Sequence, residues 1–155
     1  MMKSRILLVD DDQAVRRMLL RVLEDEGYLV LPAASGAEAL EIAATRSPDL
    51  ALLDLAMPVQ DGWKVFQQLA NDYPLLPVVI ITARPNQLFP ALASGVGALM
   101  EKPLDLPKLL RTIQDLLEEP AETRMARVAG RPAEFHYQPP KRQILTPTPA
   151  EEHAR

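Results

Sequence analysis

Apolar residues alternate along the chain between short continuous runs and stripes with helical spacing. The runs predict five buried strands, at 6–9, 28–31, 50–53, 78–81 and 98–100. Between them, apolar positions recur at i, i+3, i+4 and i+7, as in Val15, Met18, Leu19 and Val22, and predict amphipathic helices. Near-continuous apolar strands that alternate with helices favour a parallel sheet covered on both faces. The predicted fold class is α/β, a doubly wound (βα)5 sandwich.

Helix start and stop signals sharpen these boundaries. The first helix is expected to stop at Gly27, and Ser35 with Glu38 forms a capping box before a helix over 36–46. Asp61 is a predicted cap for a helix over 62–71. A weaker helix at about 86–94 is interrupted by Pro90. The last helix begins near residue 106.

The charge balance and the proline content of the sequence change near Pro120. Residues 1–119 carry 11 Lys and Arg against 17 Asp and Glu, whereas residues 120–155 carry 6 against 4 and hold 6 of the 15 prolines. No helical or strand period survives in the second part, which predicts a folded domain over 1–119 and a Pro-rich, flexible tail over 120–155. Apolar points that a docking segment could use are Phe135, Tyr137, Ile144 and Leu145.

Composition narrows the class of protein. With 48% hydrophobic and 25% charged residues, the chain resembles ordinary soluble domains, and no apolar stretch approaches the ~20 residues of a membrane span. The absence of cysteine excludes disulfides, thiol catalysis and cysteine zinc sites, and favours a reducing, cytoplasmic setting. A net charge of −4 gives no general attraction to nucleic acid.

Five polar residues follow the predicted strands at their carboxyl ends, where open α/β sheets bind ligands. They are Asp10, Asp11, Asp54, Thr82 and Lys102. Each alone is more often a turn former or a helix cap, so the interpretation depends on finding all five at one edge.

Phosphoryl transfer is the chemistry that suits this set. Clustered carboxylates bind a hard cation such as Mg2+, beside which Asp54 could act as a covalent nucleophile toward phosphorus. A Lys ammonium and a Thr hydroxyl would then stabilise the phosphoryl oxygens.

Over about residues 3–118 the sequence resembles the receiver domains of two-component response regulators. The resembling segments, in family order, are ILLVDDDQAVRRML, LLDLAMPVQDGWKVF, VVIITAR and ALMEKP. The resemblance implies a flavodoxin-like sandwich with parallel strand order 2-1-3-4-5. Together with the short tail it implies a stand-alone receiver without a DNA-binding output domain.

The resemblance also assigns roles to the polar residues. Asp54 would be the phosphoacceptor, with Mg2+ held by Asp10, Asp11, Asp54 and the backbone carbonyl of Ala56. Thr82 and Lys102 would contact the phosphoryl group, and Lys102–Pro103 would be a cis peptide. The donor would be a histidine kinase or phosphotransfer protein, and the signal would pass to an unknown downstream protein, without direct nucleic acid or membrane binding. Catalysis would be limited to self-phosphorylation and slow self-dephosphorylation.

Several positions depart from the family pattern. Thr82 and Lys102 are 20 residues apart, about two fewer than expected, which predicts a short or distorted fourth helix and puts the usual dimer through α4, β5 and α5 in doubt. Leu99 stands at the aromatic switch position, so the coupling of phosphorylation to output is altered. Ala56 has no side chain that could orient a water, and Arg84 could either cover the phosphoryl group or point into solvent.

Two alternative functions stay open. A degenerate receiver could act as a scaffold. A haloacid-dehalogenase-like aspartate phosphatase would use Asp10 as nucleophile and Asp12 as acid, with Thr82 and Lys102, but it leaves the AMPVQDG segment unexplained.

Overall fold

The computed structural model describes residues 2–57, 61–131 and 133–141 and folds them around one parallel sheet. The sheet order is β2-β1-β3-β4-β5-β6. The strands are β1 (Arg5–Val9), β2 (Leu29–Ala33), β3 (Leu50–Asp54), β4 (Val78–Thr82), β5 (Ala98–Glu101) and β6 (His136–Gln138). The predicted fold class and the order of the first five strands are confirmed.

Helices cover both faces of the sheet. They are α1 (Gln13–Asp25), α2 (Gly36–Arg46), α3 (Gly62–Asp72), α4 (Leu88–Ser94), α5 (Leu106–Glu118) and α6 (Ala121–Val128). Successive strand residues point to opposite faces, so Leu7 packs in a core with α2, α3 and α4, whereas Leu8 packs in a core with α1 and α5. Within the described ranges, no helix has the length and apolar character needed to cross a membrane.

Side-chain caps fix where the helices begin. Asp12, Ser35, Asp61 and Asp105 each accept hydrogen bonds from backbone N–H groups in the first turn of the helix that follows. Glu38 accepts from the N–H of Ala34, one residue before the cap, which is a shifted form of the predicted capping box.

Helix α4 has seven residues, in agreement with the predicted shortening. Pro90 lies in its first turn, where a missing N–H costs nothing because the first N–H groups of a helix have no intrahelical acceptor. The helix therefore begins at Leu88 and includes Pro90, whereas the sequence predicted an interruption there.

The described part of the predicted tail has regular structure, which corrects the expectation of an irregular chain after residue 119. Helix α6 follows α5 directly, and β6 pairs in parallel with β5 as a sixth strand. The physical reason lies in tertiary contacts made by arginine and backbone groups, which leave no hydrophobic period in the sequence. Residues 142–155 of the predicted tail, with Ile144 and Leu145, lie outside the described residues.

Candidate functional site

The five predicted residues lie together at the carboxyl edge of the sheet. Asp54 and Thr82 are the last residues of β3 and β4, and the other three directly follow β1 or β5. Backbone hydrogen bonds extend the ladder to this edge, from Lys102 N–H to Thr82 O (2.8 Å) and from Leu55 N–H to Ile81 O (3.2 Å). The sheet itself thus holds these residues in place.

Three carboxylates form a compact cluster. One oxygen each from Asp10, Asp11 and Asp54 lies within 4.8 Å of the other two. Asp10 and Asp54 are buried, with 1% and 3% of their surfaces exposed, whereas Asp11 is exposed. Oxygen donors that combine two desolvated carboxylates with one open to water suit a hard divalent cation that keeps part of its hydration shell. The cluster could therefore hold a metal ion.

The Lys102 ammonium faces two of these carboxylates. Its Nζ lies 3.4 Å from Oδ2 of Asp54 and 3.5 Å from Oδ2 of Asp10. Its side chain is 24% exposed, so the cation touches solvent while its partners do not. Because this single ammonium faces two buried carboxylates, the group retains negative charge among the described residues, which a divalent cation would offset.

Burial raises the pKa of Asp10 above its ordinary value, and the nearby charge of Asp54 adds to the rise. The Asp12 N–H donates to Asp10 Oδ1 at 2.9 Å. This hydrogen bond and the charge of Lys102 both act to lower the pKa of Asp10 and so limit the rise. Arg16, one turn into α1, donates from Nη1 to the Asp10 carbonyl at 2.6 Å. No sequence signal pointed to Arg16, since an Arg on a helix usually faces solvent.

Asp12 has a different role from its two neighbours. Its carboxylate accepts from the N–H groups of Ala14 (2.9 Å) and Val15 (3.2 Å) as the N-cap of α1. An exposed acid at a helix N-terminus is also favoured by the helix dipole. The run of three aspartates is therefore two metal-competent acids and one helix cap.

Close packing beneath Asp54 fixes its loop. The Ala56 N–H donates to Asp54 Oδ1 at 3.1 Å. Gly62 packs directly against this loop, because a Cβ added there would lie 2.5 Å from Leu55 Cα and 2.7 Å from the Asp54 carbonyl oxygen. The DG pair thus combines a helix cap at Asp61 with a glycine that the site geometry requires.

The loop after Thr82 is tied to the start of α3. The buried Thr82 hydroxyl accepts from the Arg84 N–H at 2.8 Å. The Arg84 guanidinium pairs with Asp61 at 3.5 Å, which is neither of the two positions considered from the sequence. A second link runs from Trp63 Nε1 to Gln87 Oε1 at 2.8 Å.

The Lys102–Pro103 peptide is cis, as the resemblance implied. Leu99, at the aromatic switch position, is fully buried, and its register neighbours are Ile80 on β4 and Tyr137 on β6. An aromatic ring thus lies on the strand beside Leu99, in a segment where the sequence predicted no strand.

Comparisons with known proteins agree with this geometry. The family profile described as the response regulator receiver domain matches residues 6–114. The response regulator MprA of Mycobacterium ulcerans is 42% identical over 118 residues, 75% of this chain and 51% of that protein. MprA of Mycobacterium leprae is 43% identical over 115 residues, with 73% and 50% covered. The chain spans about half the length of these curated relatives.

Solved structures show the same fold. A CheY-like receiver domain protein from Methanospirillum hungatei superposes with a TM-score of 0.73 at 30% identity, covering 78% of this chain and 98% of that one. The response regulator TrrA of Thermotoga maritima, solved in complex with Mg2+–BeF, superposes with a TM-score of 0.68 at 26% identity. The match covers 73% of this chain and 98% of that one. Since the profile matches residues 6–114, which is most of the chain, this protein belongs to the response regulator receiver domain family.

Proposed function

We propose that this domain accepts a phosphoryl group on Asp54 with the help of Mg2+ and signals through a protein–protein contact. The observation that carries the proposal is the position of the Asp54 carboxylate. It is nearly inaccessible to bulk solvent, lies beside the Lys102 ammonium, and completes a carboxylate cluster with Asp10 and Asp11. This combination supplies a nucleophile and the positive charge that phosphoryl transfer requires.

In the proposed step, a carboxylate oxygen of Asp54 forms a bond to phosphorus while the bond from phosphorus to the donor group breaks. With a phosphohistidine donor, the imidazole nitrogen leaves with the electron pair of that bond. The product is an acyl phosphate, and no proton needs to be removed from Asp54 because an ionised carboxylate is the nucleophile.

Each residue of the site has a separate task. Lys102 neutralises charge on the phosphoryl oxygens, and the Thr82 hydroxyl can turn from the Arg84 N–H to donate to one of them. Asp10, Asp11, Asp54 and the Ala56 carbonyl would hold the Mg2+. When bound, the ion would supply electrostatic stabilisation of the transferred group.

The partners follow from this chemistry. A histidine kinase or a histidine phosphotransfer protein would supply the phosphoryl group, and a downstream protein would read the phosphorylated state, in the cytoplasm. The domain would act on itself alone, by self-phosphorylation and slow self-dephosphorylation. The TrrA complex with Mg2+–BeF supports the metal assignment by analogy.

A labelling experiment tests the proposal and the two alternatives. The chain is incubated with Mg2+ and a small phosphodonor such as acetyl phosphate, and any acyl phosphate is mapped by mass spectrometry. Label on Asp54 that is lost in Asp54→Asn supports the receiver function. Label on Asp10 supports an aspartate phosphatase, and absence of label supports a scaffold, so either result would overturn the proposal.

A further inference from the structure

The residues that follow α5 run from the amino edge of the sheet to the candidate phosphorylation site. We call residues 121–131 and 133–141 the C-terminal segment; it comprises α6, β6 and the residues around them. It lies along the free edge of β5, the strand that delivers Lys102. Its contacts fall at three levels along that edge. The lower level lies before the start of β5, the middle level lies along β5, and the upper level lies at the end of β5 beside Lys102.

A buried ion pair anchors the lower level. Arg127 makes a bidentate contact with Glu119, with N–O distances of 2.7 and 2.9 Å, and both side chains are more than nine-tenths buried. Arg127 also donates to the carbonyl of Glu134, and Arg124 donates to the carbonyls of Leu116 and Leu117 at the end of α5. Buried, bidentate and charge-assisted bonds of this kind fix geometry strongly.

Strand pairing makes the middle level. The His136 N–H donates to Gly97 O at 3.2 Å, and β6 then runs in parallel register with β5 from Ala98 to Met100. Phe135 packs against the core that contains Leu99. The edge of β5 is therefore covered by the chain's own backbone.

The upper level reaches the residues on both sides of Lys102. The Tyr137 hydroxyl donates to the carboxylate of Glu101, and this hydrogen bond raises the pKa of the phenol. The Lys141 N–H donates to the carbonyl of Pro103 at 2.9 Å. Glu101 and Pro103 are the chain neighbours of Lys102. The C-terminal segment therefore contacts the side chain of the residue before Lys102 and the backbone of the residue after it.

We propose that the C-terminal segment positions Lys102 and so sets the rate at which Asp54 gains a phosphoryl group, with Tyr137 as a positioning residue. This inference rests on the function proposed above. On the opposite side, the Lys102 N–H is held by Thr82 O. The ammonium is thus placed by β4 from within the sheet and by the C-terminal segment from its edge.

Thermodynamic linkage gives the proposal a second consequence. Lys102 would contact the phosphoryl group after its transfer as well as during it, so docking of the segment should also alter the free energy of the phosphorylated state. Occupancy of Asp54 must then alter the docking of the segment by the same factor. The amides of His136 and Lys141 report on docking, because their hydrogen bonds join the segment to Gly97 and Pro103.

The first test removes the hydroxyl of Tyr137. In Tyr137→Phe the rate of Asp54 phosphorylation by acetyl phosphate should fall about three- to tenfold while the affinity for Mg2+ stays unchanged. Tyr73→Phe is the matched control, because Tyr73 follows α3, away from Lys102, and should keep the wild-type rate. In a Lys102→Met background Tyr137→Phe should have no further effect, which a purely structural role would not produce.

The second test uses hydrogen exchange of the full chain with Mg2+ and beryllium fluoride, an analogue of the phosphoryl group. Exchange at the His136 and Lys141 amides should change about fivefold or more in the wild type and stay constant in Asp54→Asn.

The outcomes separate the two proposals. If the wild type is phosphorylated but Tyr137→Phe reacts at the same rate and exchange in the segment is unaffected, the positioning role is overturned and the receiver function stands. If wild-type Asp54 never accepts a phosphoryl group, both proposals are overturned.

Discussion

The Lys102 ammonium lies 3.4 Å from the Asp54 carboxylate, at a boundary between solvent and core. The Asp54 side chain is 4% exposed and the Lys102 side chain 24%, so the pair is neither a surface salt bridge nor a fully buried one. Such a cation can offset buried negative charge and still approach an incoming anion. The same contact therefore has consequences for stability and for chemistry.

Replacing Lys102 by methionine tests the stabilising part. Lys102→Met leaves the carboxylates of Asp10 and Asp54 without their cation, and the free energy of unfolding should fall by about 1–2 kcal/mol in the absence of Mg2+. Urea denaturation measures it. The exposed Lys108 on α5 gives the control, since Lys108→Met should change stability by less than about 0.5 kcal/mol. Equal losses in the two variants would contradict the prediction.

Removing the charge of Asp10 should have the opposite effect on stability. Asp10→Asn keeps an oxygen to accept from the Asp12 N–H but removes a desolvated charge, so without Mg2+ the free energy of unfolding should rise by on the order of 1 kcal/mol at pH 7. Adding Mg2+ should stabilise the wild type and not the variant. Asp12→Asn is the control, because asparagine caps a helix as well as aspartate does.

The wild type and Asp10→Asn should differ in free energy of unfolding by an amount that depends on pH, because the pKa of Asp10 is raised. The folded state holds the proton more tightly than the unfolded state, whose pKa is near 3.8. Protonation of Asp10 therefore stabilises the folded state. This contribution to the free energy of unfolding is complete below about pH 3.8 and is lost as the pH rises through the raised pKa of Asp10. Denaturation in EDTA across pH 3 to 8 should show wild type and Asp10→Asn converging in acid and diverging toward neutral pH.

Asp11 and Asp12 are adjacent in sequence and should respond differently to alanine. Asp11→Ala removes the exposed oxygen of the carboxylate cluster and should abolish Mg2+-dependent phosphorylation of Asp54. Asp12→Ala removes the cap of α1 and should cost about 1 kcal/mol of stability while phosphorylation continues. Acetyl phosphate labelling and urea denaturation separate the two effects, and equal losses of labelling would rule out this division.

The sequence predicted the first five strands and the polar edge because each leaves a local signal, whereas the strand order came from the resemblance to receiver domains. A buried parallel strand such as 50–53 reads as a continuous apolar run, and Asp54 directly follows it. Cis Lys102–Pro103 and the short α4 were also predictable, from the resemblance and from the spacing between Thr82 and Lys102. Strand ends in this fold converge on one edge, so residues far apart in the chain could be grouped from the sequence alone.

The C-terminal segment was mispredicted because its contacts have no period. Helix α6 is held by Arg124 on the carbonyls at the end of α5 and by Arg127 on Glu119, and β6 has three residues. Charged residues and prolines in such a stretch resemble a disordered tail in composition. Tertiary hydrogen bonds and one edge strand outweigh that bias, and single-sequence reasoning has no means of finding them.

Gly62 provides a test of the packing beneath Asp54. In Gly62→Ala the new methyl group would meet the backbone of Asp54 and Leu55, which cannot rotate away, so stability should fall by about 2 kcal/mol or more and phosphorylation should slow. Gly97→Ala is the comparison, because its Cβ would meet the Leu116 side chain at 2.9 Å, which can shift. The unfolding midpoint temperature of Gly62→Ala should be lower than that of Gly97→Ala. The reverse order would show that the backbone of the Asp54 loop can shift at little cost.

The side chains near Asp54 should determine how long a phosphoryl group stays on it. Ala56 has no group to orient an attacking water, and the Arg84 guanidinium pairs with Asp61. We therefore expect loss of the phosphoryl group over minutes or longer. Ala56→Asn, which restores a polar side chain, should accelerate the loss about tenfold, whereas Arg84→Ala should change it by less than about threefold. Time courses of the acyl phosphate after removal of the donor measure all three rates. Loss from the wild type within seconds would show that another group already positions the water.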